Sequence, residues 1–427
     1  MVDHQEPSPG SQRAFLVGLT SADRSPADTE ALLEELSGLV ASLGFTVGGR
    51  EILPLTRPQP RFLVGPGQAQ RIAEKAREAG CQAIVFDGEL SPSQQRNWER
   101  FAPGLAVVDR QEIILDIFAE RASTSEARLQ IELARAEYSL PRLRRAWTHL
   151  SRQRGAGTQR GEGETQLEVD QRMVRKRIQR LRLELEAVRR KRDVQRRKRQ
   201  RVPVPTGALV GYTNAGKSSL LNALTEAEVF AADQLFATLD PTSRRVHLSN
   251  GRNLVLSDTV GFVRNLPHRL VDAFKATLEE AVLSDFLVHV IDWGSPEREA
   301  HRETTEEVLA ELGADAKPTL LVFNKIDRAE DPAELARWRA RFPEAHFVSA
   351  RTGEGMEGLR DALREKAEPG LRSMQLLIPH DRHDLVHYLH EIGAVDRASH
   401  EDRGVLIRGR VPERQVSRLS GFALAGS

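Results

Sequence analysis

Eight residues constrain this chain more than any others: Gly211-Tyr212-Thr213-Asn214-Ala215-Gly216-Lys217-Ser218. An apolar run, Ala208-Leu209-Val210, leads into them, and Ser219-Leu220-Leu221-Asn222-Ala223-Leu224 follows with helical spacing. Strand, glycine-rich turn and helix together are the context a phosphate-binding loop needs. The glycines let backbone N–H groups fold inward around phosphate oxygens. Lys217 adds a cation at the β- and γ-phosphates, and the Ser218 hydroxyl can ligate Mg²⁺. The helix that starts there aims its positive end at the anion. Every other stretch can be placed before or after this loop.

A length of 427 residues exceeds what one core usually holds and predicts two to four domains. Hydrophobic residues make up 40% and charged residues 29%, a balance that fits a globular protein with charged helices. The net charge is only +1, so no global field selects nucleic acid and basic character must be sought locally. Aromatics, at 5%, are too scarce for base stacking to be the main mode of RNA contact. Cys81 is the only cysteine, which rules out an intramolecular disulfide and a multi-cysteine zinc site. No apolar run approaches the roughly 20 residues of a membrane span. Residues 1–12 are polar, lack the apolar centre of a signal peptide and read as a disordered tail. A cytoplasmic location is expected, with peripheral membrane association left open, and so is a monomer.

Strand and helix patterns alternate after this tail. Residues 14–19 read as a buried strand, and Leu32, Leu33, Leu36, Val40 and Leu43 carry helical spacing. A second strand is predicted at 61–65, a helix at 68–78, a third strand at 83–87 and a fourth at 106–109, each of the last two followed by a helix. This predicts a small α/β domain over 13–124 with a largely parallel sheet. Val64-Gly65-Pro66-Gly67 is a glycine-rich turn that could face a phosphate. It lacks a basic anchor and the fuller dinucleotide fingerprint, and is read as a tight connection.

From Ser125 the pattern changes. Leu129, Leu133, Ala136, Leu140 and Leu143 form one narrow apolar seam, and Val174, Ile178, Leu181, Leu185 and Val188 form another. Two such seams predict a long antiparallel helical hairpin over 125–201, with a kink or break at Pro141. Residues 151–166 between the arms hold four glycines and three arginines, and read as a mobile loop at the tip. That is longer than a plain helix–helix connection needs. The second arm is strongly basic: residues 172–201 hold fifteen Lys or Arg, against Glu184, Glu186 and Asp193. A charge run is usually a solvated face, but this one is too one-sided, and dense arginine points to a polyanion such as RNA. Arg152, Arg154 and Arg160 at the tip and Arg189, Arg190, Arg196 and Arg197 on the arm are the candidate RNA contacts.

Further loops then arrive in a telling order. Phe236-Ala237-Thr238-Leu239-Asp240-Pro241-Thr242 sits where a GTPase keeps its first switch, with Thr238 chosen over Thr242 as the threonine for Mg²⁺ and the γ-phosphate. Asp258-Thr259-Val260-Gly261 ends a strand, which fits Mg²⁺ support by Asp258 and γ-phosphate sensing by the Gly261 N–H. Asn324-Lys325-Ile326-Asp327 ends another strand. The Asp327 carboxylate can accept from guanine's ring N–H and exocyclic amine, donors that adenine does not present there. Ser349, Ala350 and Arg351 complete the base pocket, with the Ala350 N–H expected at the guanine oxygen. The expected nucleotide site is therefore Gly211 through Ser219, Phe236, Thr238, Asp258, Gly261, Asn324, Lys325, Asp327 and Ser349 through Arg351. Ser218, Thr238 and Asp258 serve the metal, and Lys217, Thr238, Gly261 and Asn214 serve catalysis. Phe262 stands where Ras-like enzymes keep a water-orienting glutamine, so slow unaided hydrolysis is expected. Asn214 resembles the asparagine of cation-dependent GTPases, which raises K⁺ assistance.

With these residues in hand, the chain resembles the HflX family of translation-associated GTPases over about residues 14–370. The resemblance rests on 211–218, on 236–242, and on Asp258-Thr259-Val260-Gly261-Phe262-Val263-Arg264 running into Leu266-Pro267-His268. Outside the GTPase region it rests on Asp87-Gly88-Glu89-Leu90-Ser91-Pro92-Ser93-Gln94-Gln95, on Ser151-Arg152-Gln153-Arg154-Gly155, and on Gly163-Glu164-Thr165-Gln166-Leu167-Glu168. Residues 159–163 are longer and more acidic than the family pattern. The resemblance implies GTP hydrolysis, binding to the large ribosomal subunit and its RNA, and splitting or rescue of stalled ribosomes under stress.

The last stretch, 371–427, predicts two strands at 375–379 and 405–409 flanking a helix at 381–392, a small C-terminal α/β domain. His380, His383, His387 and His390 share one helical face and read as a solvent-facing stripe rather than a metal site. The whole is read as α/β: a small N-terminal domain, the hairpin, a P-loop GTPase domain over 202–370 with a mostly parallel sheet, and this appendage. Two rival functions are an RNA-remodelling ATPase using the N-terminal domain and a non-catalytic, GTP-dependent RNA-binding regulator.

Overall fold

A computed structural model of the chain describes residues 12–22, 24–146, 160–199, 204–225, 236, 242–248, 253–264, 278, 280–367, 371–392 and 394–424, with side chains except at 143–146, 160–168, 189, 191–199, 371 and 412–414. The described residues fall into two compact units. One runs through Val188 and takes in Phe236 and Arg264; the other holds the rest.

The first unit is built on a four-stranded parallel sheet, β1 (Arg13–Thr20), β2 (Thr46–Pro54), β3 (Ala83–Phe86) and β4 (Ala106–Asp109), in the order β2-β1-β3-β4. Helices α1 (Pro26–Ser42), α2 (Pro66–Glu78), α3 (Pro92–Phe101) and α4 (Arg110–Arg121) connect the strands and follow the last. Local chemistry starts three of them. Ser25 and Ser91 cap α1 and α3 through reciprocal capping boxes with Asp28 and Gln94, and proline takes the first turn of α1, α2 and α3. Phe15, Val17, Ile72, Phe86 and Trp98 lie in one buried cluster beneath the sheet.

The expected second strand differs. Residues 61–65 form only isolated bridges, and Leu63 has a φ of 68°. The strand is instead β2, whose Gly48 and Gly49 hid it from propensity. A Cβ on Gly48 would meet the Cys81 sulfur at 2.4 Å, and one on Gly49 the Phe15 ring at 2.8 Å. The Phe62 segment is held by a side chain instead: the Trp98 indole N–H donates to the Phe62 carbonyl at 2.9 Å.

Helix α5 (Ser125–Ala146) continues through Pro141, so the expected break does not occur. Arg142, next in sequence, donates to the Tyr138 carbonyl at 3.1 Å inside the same turn. Its buried apolar residues, Ala127, Ile131, Ala134 and Tyr138, are offset from the expected seam, whose Leu129, Leu133, Ala136 and Leu140 are half-buried. The helix is apolar on two sides because it also packs on α3 and α4. Helix α6 (Arg160–Arg199) spans 40 residues, about 60 Å. It starts inside the expected tip loop, so Arg160 to Gln166 are helical. Ile178, Leu181 and Leu185 are buried, and Arg177 and Arg182 pair with Glu132 and Glu137 of α5 at 3.0 and 2.6 Å.

The second unit contains a six-stranded sheet ordered β10-β9-β8-β5-β7-β6, from β5 (Thr206–Val210), β6 (Thr242–His247), β7 (Asn253–Asp258), β8 (Phe286–Asp292), β9 (Thr319–Asn324) and β10 (His346–Phe347). Only β6 is antiparallel. Helices α7 (Lys217–Thr225), α8 (Arg298–Glu311), α9 (Pro332–Arg341) and α10 (Met356–Ala367) accompany it. A separate antiparallel sheet, β11 (Leu371–Ile378), β13 (Gly404–Pro412) and β12 (Arg397–Glu401), carries α11 (His383–Glu391) and α12 (Glu413–Leu419). The expected strands and helix are there; β12 was missed because Arg397-Ala398-Ser399-His400-Glu401 is exposed along its whole length. Leu385 and Leu389 bury one face of α11, and His383, His387 and His390 are exposed on the other.

Candidate functional site

Strand β5 lies centrally, between β8 and β7, and its carboxyl end opens into residues 211–216 before α7. That is where ligands bind in open α/β sheets. Gly216, at φ 90°, is required by space as well: a Cβ there would sit 2.3 Å from the Asn324 amide nitrogen. Asn214 also has a positive φ, 59°, and is exposed at the crown of the loop. Tyr212, Thr213 and Ala215 are buried beneath it, while Ser219 is exposed in the first turn of α7.

Lys217 is buried and curls back over the loop, donating to the Gly211 and Tyr212 carbonyls at 3.1 and 3.0 Å. Burial lowers its pKa to about 8; Asp258 pulls it upward and Lys325 pushes it further down. The Ser218 hydroxyl donates to Asp258 Oδ2 at 2.5 Å, and Asp258 ends β7 fully buried. A hydroxyl and a carboxylate so placed form a hard oxygen donor pair that fits a divalent cation such as Mg²⁺.

The loops expected at the base converge from β9 and β10. Asn324 ties them to the phosphate loop: its amide donates to the Ala215 carbonyl, and its oxygen accepts from the Ala350 N–H, both at 3.1 Å. The Ala350 N–H expected at a guanine oxygen thus has a protein acceptor here. Lys325 reaches the Asn214 carbonyl at 2.7 Å and Asp292 at 2.8 Å. Asp327 accepts from the Ser349 hydroxyl at 2.7 Å and stands 3.9 Å from Arg351. Ser349 itself is fully buried.

Sequence reasoning missed Asp292, the anchor of Lys325. It ends the apolar run 286–291 of β8, and a carboxylate at the carboxyl end of a strand beside β5 was the available signal. It also missed Thr259, whose hydroxyl donates to the Leu209 carbonyl at 2.6 Å and fastens β7 to β5.

Phe236 is 2% exposed, with its ring 4.6 Å from that of Phe118 on α4, in the first unit. Its side chain is therefore committed to aromatic packing rather than turned to solvent. Thr238, Arg152 and Arg154 lie outside the described residues. Arg160 opens α6, and Arg189, Arg190, Arg196 and Arg197 lie along it.

A phosphate loop on a central parallel strand, with Asn-Lys-x-Asp and Ser-Ala loops beside it, defines a P-loop GTPase. Comparison with known proteins gives the family. Residues 206–325 match the family model described as 50S ribosome-binding GTPase, residues 30–119 the GTP-binding GTPase N-terminal model, and residues 121–199 the GTP-binding GTPase middle region. The chain is 45% identical over 425 residues to GTPase HflX of Akkermansia muciniphila, covering 96% of this chain and 97% of that one. It is 44% identical over 391 residues to GTPase HflX of Escherichia coli, covering 91% of each. Among solved structures, a GTP-binding protein from Sulfolobus solfataricus in complex with GDP is 28% identical, with a TM-score of 0.45, covering 83% of this chain and 98% of that one. The chain belongs to the HflX family of GTPases, and it is a GTP hydrolase.

Proposed function

We propose that this GTPase binds the large ribosomal subunit through its basic helical hairpin, and couples GTP binding and hydrolysis to the splitting or rescue of stalled ribosomes under stress. The observation that carries the reading is α6: one helix about 60 Å long that holds fifteen Lys or Arg against seven Asp or Glu and precedes β5 in the chain. The family model's own description, 50S ribosome-binding GTPase, supports the partner. The domains follow the sequence reading: 13–124, 125–201, 202–370 and 371–427. Location is cytoplasmic.

In the site, the loop N–H groups of 216–218 and Lys217 hold the phosphates, and Asp327, Asn324 and Ser349 to Arg351 select guanine. Ser218, Asp258 and Thr238 would hold Mg²⁺, which would supply charge neutralisation for phosphoryl transfer. The Gly261 N–H senses the γ-phosphate. The Phe262 ring is buried and offers no hydrogen bond to an attacking water, so basal turnover is slow and the ribosome stimulates it. Asn214 is the candidate contact for K⁺, a role that equal turnover in Na⁺ and K⁺ buffers would remove. The test is co-sedimentation of the full chain with large subunits in GTP, a non-hydrolysable analogue and GDP. Retention with the analogue and release with GDP is expected; identical binding in all three states would overturn the coupling.

A further inference from the structure

Tyr212, the second residue of the phosphate loop, makes two contacts that phosphate binding does not require. Its backbone forms an isolated parallel bridge with Phe262, just beyond Gly261. The Thr213 N–H donates to the Phe262 carbonyl at 2.7 Å, and the Phe262 N–H donates to the Gly211 carbonyl at 3.1 Å. On its other side, the Tyr212 ring lies flat on the imidazole of His301 in α8, with centroids 3.7 Å apart and planes 10° from parallel.

His301 stands on a firm base. Its Nδ1 lies 3.4 Å from the Ser295 hydroxyl, and its Nε2 lies 3.8 Å from Glu297. One turn earlier, Arg298 donates to the Trp293 and Ser295 carbonyls, stacks over Trp293 and Trp338, and pairs with Glu334 of α9. An imidazole so held cannot easily follow Tyr212 if the loop moves.

The pairing matters because of what lies next to it. A Cβ on Gly261 would fall 2.5 Å from the Thr213 Cα, so the two backbones touch there. On the assignment of Gly261 to the γ-phosphate, the segment that Phe262 ties to the loop is the one a third phosphate engages and a diphosphate does not. Whatever stiffens Tyr212 in the paired arrangement therefore favours the diphosphate over the triphosphate.

We propose that His301 is a positioning residue for the GTPase switch: by stacking on Tyr212 it keeps the phosphate loop paired with Phe262, and so sets the preference of the site for GDP over GTP. The inference rests on the assignment of the phosphate loop and Gly261 made under Proposed function.

The experiment measures affinities of the full chain for a fluorescent GDP and a fluorescent non-hydrolysable GTP analogue. Wild type is compared with His301→Ala, His301→Phe and His301→Gln, with thermal melting as the folding control. Aromatic pairs contribute modestly beyond burial, so H301A should lower the GDP-to-analogue affinity ratio by about threefold to tenfold. H301F keeps the stack and should stay within about twofold of wild type, while H301Q keeps a polar group near Ser295 without a ring and should behave like H301A. A ratio unchanged in both H301A and H301Q overturns the proposal, as does a folded H301F that fails to rescue. If H301A melts early, the H301Q and H301F pair decides. Wild type that binds neither nucleotide would instead overturn the site assignment itself.

Discussion

At the scale of single residues, Lys217 is the group whose chemistry can be read out directly. It is buried against backbone carbonyls with its pKa lowered to about 8, burial being the main cause. In the free site the ammonium is therefore half deprotonated near pH 8 and mostly neutral above it. A phosphate beside it favours the charged form, so binding above that pH must take up a proton. GDP affinity should be flat from pH 6.5 to 7.5, then fall by up to about tenfold per pH unit above about 8. Calorimetry at pH 9 in buffers of different ionisation heat should register the uptake of close to one proton. Equal affinity at pH 7 and 9.5 would sink this account. The placing of Lys217, Asp258 and Asp327 at or just beyond the carboxyl ends of strands was legible because each sits in a short motif. The bond from Asn324 to Ala215 was not, because it joins loops 109 residues apart.

At the scale of elements, the run Asp87 to Gln95 acquires a structural account. Asp87 pairs with Arg24 and Arg110 at 2.9 and 2.8 Å, Ser91 caps α3, and the Leu90 N–H donates to Asp109 at 3.0 Å. Gln95 donates to the Val107 carbonyl and to Glu112. Arg142 of α5 then clasps the group: it donates to Gln95 at 2.8 Å and to the Leu90 carbonyl at 3.1 Å, reaches Asp109, and lies over the Tyr138 ring. Burial raises the Tyr138 and Glu112 pKa values, which keeps the tyrosine hydroxyl a donor to Asp109. Arg142 is 17% exposed at its side chain, so its removal strands buried acceptors. Replacing it with alanine should cost about 3 kcal/mol locally. Amide exchange in α3 and α5 should then accelerate by roughly a hundredfold, and unchanged exchange there would contradict the clasp. The motif was visible in the sequence, but its purpose was not. Its partners lie just before α1 and on β4, α4 and α5, and no spacing rule links them.

At the scale of the whole molecule, the uneven placement of charge matters more than its sum. The net charge is +1, yet residues 172–201 carry an excess of twelve positive charges, which other parts of the chain nearly cancel. If the hairpin enters RNA, replacing Arg152, Arg154 and Arg160 together with alanine should weaken large-subunit binding in low salt. It should also flatten the slope of log affinity against log salt by about 2–3. Filter binding across a salt series checks both, and an unchanged slope would remove the tip from the RNA interface. No helix among the described residues is long and apolar enough to cross a membrane.

By itself the sequence determined the nucleotide chemistry, the parallel α/β character and the basic helix, because each depends on local order: residue type at fixed spacing, or period along one element. Tertiary structure alone decided that β2 and not residues 61–65 completes the first sheet, that α5 passes through Pro141, and that α6 begins at Arg160. Each of those outcomes is set by neighbours distant in sequence. Gly48 and Gly49 leave room for Cys81 and Phe15, and α5 has two apolar sides because it also meets α3 and α4. The phosphate loop shows both halves of the argument. Its eight residues announced a phosphate, whereas its ties to Asn324, Phe262 and His301 exist only once the sheet has brought those elements together.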